Sequence, residues 1–131
     1  MTVSIARGVS AEIPRKVVGM TIDGGGSAIT TGTKGYITVP YNARIRSWNL
    51  LANTSGSAVV DVWKTPYPGI PNSSNSITGT DKPTLSNAQE SRNLQISNWS
   101  DLTINAEDTL GFSLDSVDGV LTSLTLLIQV E

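Results

Sequence analysis

The chain has 131 residues, of which 38% are apolar and 15% charged, and its net charge is −2, as suits one soluble domain built around a single core. Its nine Lys and Arg residues are scattered except for Arg15-Lys16, so the basic stripe that grips a phosphate backbone is missing and nucleic acid is not expected as a partner. Neither cysteine nor histidine is present, which removes disulfides, thiolate chemistry, the commonest transition-metal ligand and the commonest general base.

Met1 to Lys16 contains only isolated apolar residues and a proline, Pro14, that forbids a continuous central strand. We read this segment as an amino-terminal arm and residues 17–131 as one domain. The arm lacks the apolar centre of a secretory signal, and the longest apolar run, Gly119 to Glu131, is too short and too interrupted to cross a bilayer. No membrane partner is expected.

From Lys16 onward the pattern is strand, turn, strand, with no stretch that keeps helical spacing for three turns. "KVVGMTI" is the first strand, and "DGGGSAITTGTKG" is a glycine-rich connection that leads into the strand "KGYITVP". The glycines do not make a Walker loop, because Lys34 opens a strand and not a helix. "ARIRSWNLLA" and "SAVVDVWK" flank "NTSG", which reads as a hairpin. In the first of the pair, Ala43 and Ile45 share one parity while Trp48, Leu50 and Ala52 take the other. A bulge near Arg46-Ser47 would bring both sets to the core. In the second, Ala58, Val60 and Val62 share a face, which turns Asp61 and Trp63 toward solvent.

The loop Thr65 to Pro83, "TPYPGIPNSSNSITGTDKP", holds four of the six prolines. Its first half is expected to be stiff and extended, its second half polar and flexible. "TLSNAQESRN" fits a single helical turn capped by Ser86, with Gln89 three residues on. "NLQISNWSDLTINAED" supplies two short strands. "TLGFSLDS" buries Leu110, Phe112 and Leu114 on one face, and "VDG" turns the chain into "VLTSLTLLIQV". There Val120, Leu124, Leu126, Ile128 and Val130 share a parity. The expected fold is all-β: an antiparallel, jelly-roll-like β-sandwich of about eight strands.

The phrases Trp48 to Ala52 ("WNLLA"), Val59 to Lys64 ("VDVWK" with its leading valine) and Lys82 to Ser86 ("KPTLS") fall between a glycine-rich lead-in and a final β-rich strand. In this order they resemble a small β-sandwich domain of bacteriophage virion proteins, over about three quarters of the chain. The resemblance implies a non-enzymatic structural or adhesive module of a phage particle. It implies either a capsid decoration (cement) protein on the capsid surface or a tail-associated receptor-binding domain that holds host glycans.

The residues argue against catalysis in the same direction. Asp23, Asp61, Asp81, Asp101, Asp108, Asp115 and Asp118 are dispersed over turns and strands, where carboxylates mostly solubilise. No Ser-x-x-Lys or Gly-x-Ser-x-Gly element accompanies the abundant hydroxyls, and "DSVDG" falls short of a calcium loop. No cofactor is expected. The candidate partner-binding residues are Ile5, Ile13, Pro14 and Arg15 of the arm, Tyr67 and Ile70 of the proline loop, and Trp63 and Trp99 as rim aromatics. The expected partners are the major capsid protein and further copies of the chain, as a homotrimer. Under the tail alternative the partner is a glycan stacked on Trp63 and Trp99.

Overall fold

The computed structural model describes residues 14–131, so the expectations placed on Ile5 and Ile13 lie outside the described residues. The strands are β1 (Lys16–Asp23), β2 (Gly32–Val39), β3 (Ala43–Thr65), β4 (Thr84–Asn93), β5 (Thr103–Ile104), β6 (Asp108–Val117) and β7 (Ser123–Val130), with one 3-10 turn at Ser73–Asn75. All pairings are antiparallel. The sheet runs β1-β7-β3-β6-β2, with β4 on the other edge of β3 and the short β5 pairing with the start of β3.

The largest departure from the sequence reading is at "NTSG". It does not turn the chain: β3 is one strand of 23 residues that runs straight through it. The reason is what lies alongside. β6 and β7 do not pair with each other; both pair with β3, β7 along Ile45 to Ala52 and β6 along Ala58 to Thr65. The step from β6 to β7 therefore sits opposite residues 53–57 and consumes their turn-forming groups. The Asn53 Oδ1 accepts from the amides of Thr122 and Ser123 at 3.0 and 3.1 Å, and the Ser57 amide donates to the Asp118 carboxylate at 2.6 Å. At Gly56 a Cβ would lie 2.7 Å from the Leu121 side chain, so only glycine lets the two segments close. "VDG" likewise is a step between two strands and not a hairpin, and Val120 beside it is exposed.

The connection from β1 to β2 crosses the same line, its Gly24 and Ile29 amides donating to the carbonyls of Thr122 and Leu121 at 2.8 and 2.9 Å. Strands, steps and loops thus bend at one seam. On one side of it β1, β7 and the first half of β3 form one layer, and on the other β2, β6 and the second half of β3 form another. The two layers are parts of a single sheet that folds over and nearly closes like a barrel, with β1 and β2 touching. Met20 of β1 reaches the space that a side chain on Gly35 of β2 would occupy.

The expected bulge is present: the β3–β7 register shifts between Ile45 and Ser47, and Ile45, Trp48 and Leu50 are all buried. Leu110, Phe112 and Leu114 from β6 join Leu124, Leu126, Ile128 and Val130 from β7 in the core. Burial of such side chains stabilises by roughly 1.5 to 3 kcal/mol each. "TLSNAQESRN" is strand β4 and not a helical turn, because its alternation is recruited along the edge of β3; the left-handed backbone of Asn87 (φ 49°) marks where it follows the bend. "NLQIS" is not a strand, and with the two halves of β3 joined the total among the described residues is seven.

Candidate functional site

The proline loop leaves β3 after Thr65 and returns as β4 at Thr84. Its first half is not the extended path expected from the prolines but a tight turn, the Gly69 amide donating to the Pro66 carbonyl at 2.8 Å. This turn lifts Tyr67 and Ile70 away from the domain, where they are 76% and 67% exposed. Pro71 then folds back onto the outer face of the β6 layer. There Gly111 has no side chain, and a Cβ would meet Pro71, Trp63 and Tyr36 at 3.1 to 3.3 Å. Asn72 caps the 3-10 turn, its side chain accepting from the Ser74 amide at 2.9 Å while the Asn75 side chain accepts from the Asn72 amide.

The second half of the loop is polar, as expected, but it is not loose. Ser76 bridges to Trp63, the Ile77 amide donates to the Val62 carbonyl at 2.9 Å, and Ile77 and Thr78 are buried. The anchor is Asp61, which the strand parity turns toward solvent. Asp61 does point away from the core between the layers, yet it is buried because the loop covers it. Its carboxylate accepts from the Val62 amide (2.9 Å), the Trp63 indole N–H (3.1 Å), the Ser76 hydroxyl (2.7 Å) and the Thr78 hydroxyl (2.7 Å). The Lys82 ammonium lies 3.8 Å away and pairs more closely with Asp115, at 2.7 Å. That hydrogen bond to Asp115, opposed by burial and reinforced by the charge of Asp61, raises the Lys82 pKa above its ordinary value.

The other two tryptophans hold the end of the loop. The Trp99 indole N–H donates to the Asp81 carbonyl at 2.7 Å, and the Trp48 N–H points at the Asp81 carboxylate at 3.5 Å, which also accepts from the Asn93 amide nitrogen at 2.7 Å. Trp63 and Trp99 are 7% and 5% exposed. Both are therefore corrected from rim contacts to buried clamps: each indole has an internal acceptor, and a buried donor left without one costs about 1–3 kcal/mol. The bulge places Trp48 in the core, as expected, and gives its N–H the same task.

Of the sequence-predicted contact residues that are described, Pro14 and Arg15 are exposed at the start of β1, and Arg15 pairs with Glu131 at 3.3 Å. They are not near Tyr67 and Ile70 in the chain's layout: the β6 layer carries the loop, and the β7 layer carries β1. The residues that sequence reasoning missed are Ser76, Thr78, Asp81 and Lys82. Their signal was present in the placement of an aspartate and a tryptophan on one strand face, which needs a cover of donors. An open polar cleft lies between the loop's end and β4, lined by Trp48, Thr80, Asp81, Lys82, Arg92 and Asn93.

At the mouth of the barrel the Lys64 ammonium donates to the Asp101 carboxylate and to the Thr103 carbonyl, with Asp108 at 3.9 Å. Burial pushes the Asp101 carboxyl up, but the bonds from Lys64 and from the Thr103 amide outweigh it and hold the pKa below the ordinary value. Among the described residues, no three His, Cys, Asp or Glu side chains converge where they could hold a metal ion. Asp115 and Asp118 of "DSVDG" instead pair with Lys82 and cap the Ser57 amide.

No protein-family model and no curated protein matches the chain. Among solved structures it is similar to the SPBc2 prophage-derived protein YomS, at 16% identity over 92% of this chain and 99% of that one, with a TM-score of 0.42. It is similar also to a chain from the structure of infectious bursal disease virus Gx strain, at 11% identity over 96% of this chain and 40% of that one, with a TM-score of 0.27.

Proposed function

We propose that the chain is a non-enzymatic structural protein of a phage particle, and within that class a capsid decoration protein whose proline loop docks on neighbouring shell subunits. The observation that carries this reading is the built display of Tyr67 and Ile70. Two buried indoles and the buried Asp61 carboxylate fix residues 76–81 of a loop whose Tyr67 and Ile70 side chains are large, apolar and exposed. Fixing a contact loop in advance lowers the ordering cost of association, and aromatic anchors surrounded by near-neutral contacts are what a protein partner's pocket takes up. The resemblance of "WNLLA", "VDVWK" and "KPTLS" to virion domains points to the same class of role. The major capsid protein and further copies of the chain are the partners on this reading.

The tail-associated, glycan-binding alternative draws its support from Trp63 and Trp99 as stacking surfaces. Both rings are covered, so that alternative would have to rest on the polar cleft between the loop and β4. The two readings separate by mutation. In the decoration reading, Tyr67→Ser with Ile70→Ser leaves the melting behaviour unchanged and abolishes occupancy of purified particles. Retained occupancy in that variant, with the fold intact, would sink the docking role of the loop.

A further inference from the structure

The edges of the sheet are not alike. β1 and β2, the two ends of the main path, lie against each other without a hydrogen-bonded register among the described residues, whereas β4 pairs on one edge with β3 and, among the described residues, with no strand on its other edge. Residues 88–93 make no backbone hydrogen bond outside that pairing among the described residues. An open edge of this kind is a template for another strand. From its register with β3, β4 turns Ser91 and Asn93 toward the side of Leu50 and Trp48, and Glu90 and Arg92 toward the outer face opposite Leu51 and Asn49. Glu90 and Arg92 are both exposed, and none of the ion pairs among the described residues includes either.

We infer that the β4 edge is a self-pairing surface: two copies of the chain associate through antiparallel β4–β4 pairing about a two-fold axis at Ser91. The charge pattern selects this arrangement. With the axis at Ser91, Glu90 of each copy stands directly across from Arg92 of the other, on the same face, at the cross-strand spacing of about 4.5–5.5 Å where opposite charges attract. Sliding the pairing so that the axis falls on Glu90 or on Arg92 places like charges opposite each other, which is destabilising. The pair therefore fixes one register out of three, and a two-fold contact is satisfied by one patch meeting itself. The joined sheet runs β1-β7-β3-β4 through the axis into β4-β3-β7-β1 of the second copy, with main-chain hydrogen bonds supplying the attraction and the charges the alignment. This contact is two-fold, in place of the homotrimer expected from the sequence, and it stands independently of the loop's role.

Sedimentation velocity of the full chain over a concentration series tests it. A monomer–dimer equilibrium is expected, and it should be lost in Glu90→Arg and in Arg92→Glu, each of which sets like charges across the axis. Mixing those two variants in equal amounts should restore a dimer, because a copy with arginine on both sides of Ser91 then faces a copy with glutamate on both sides. The double variant Glu90→Arg, Arg92→Glu should dimerise alone. Thermal midpoints matching the parent control for folding, since both side chains are exposed. A chain that stays monomeric at every concentration, a trimer, or a dimer indifferent to all four combinations would overturn the inference.

Discussion

Replacing Asp61 by alanine removes the acceptor around which the proline loop is organised. Four donors lose their partner: the Val62 amide, the Trp63 indole, and the hydroxyls of Ser76 and Thr78. The two hydroxyls lie 3.2 Å apart and can turn to each other, but the amide and the indole are fixed by strand and ring and have nowhere to turn. At about 1–3 kcal/mol for each buried donor left unsatisfied, the loss is about 2–6 kcal/mol. That is a large part of the roughly 5–15 kcal/mol by which a domain of this kind is stable. The expected result in urea denaturation, followed by tryptophan fluorescence, is a midpoint shifted to lower urea with an unchanged slope. Proteolytic nicking within residues 66–83 should appear before global unfolding, because the loop loses its anchor first. A loss under about 1 kcal/mol, with the loop still resistant, would refute the role given to Asp61.

Phe112→Ala and Leu126→Ala each open space in the fully buried core and should cost roughly 2–5 kcal/mol in the same denaturation experiment. Gly56→Ala puts a methyl group 2.7 Å from Leu121 at the seam; a loss of about 1–3 kcal/mol is expected from overpacking, and the further loss on adding Leu121→Ala should be smaller than Leu121→Ala causes in the parent, because the two sites are in contact. The folded-state pKa of Asp101 is depressed, so its contribution to stability is present above the unfolded value and is lost as pH falls through the folded one. An Asp101→Asn variant should therefore show a flatter decline of stability than the parent on acidification below the ordinary carboxylate range. For Lys82 the sign is the reverse: its pKa is raised, so its contribution persists at neutral pH and is lost only in strong alkali, and Lys82→Met should remove that alkaline limb.

The strand pattern is readable because period-two alternation in β6 and β7 and the parity change at Arg46-Ser47 are local properties of residues that end in one core. The bend of β3 is not. Asn, Thr, Ser and Gly are the residues of a turn when the chain must satisfy its own backbone, and the partners that use them here, Asp118, Leu121, Thr122 and Ser123, lie more than sixty residues away. The helical turn expected at β4 fails for a related reason: Ser86 and Gln89 make a plausible cap in isolation, and the edge of β3 outcompetes it. At the candidate site the exposure of Tyr67 and Ile70 follows from a proline-stiffened loop. The burial of Trp63 does not, because parity reports which face of a strand a side chain takes and says nothing of what later folds over that face. The loop's own Pro71, Ser76 and Thr78 are that cover.

Cryo-electron microscopy of the phage particle proposed to carry this chain tests the central proposal most directly. The account predicts density for the β-barrel at regular positions on the capsid surface, with Tyr67 and Ile70 seated against shell subunits. Density confined to the tail, or capsid density with the proline loop facing solvent, would contradict it.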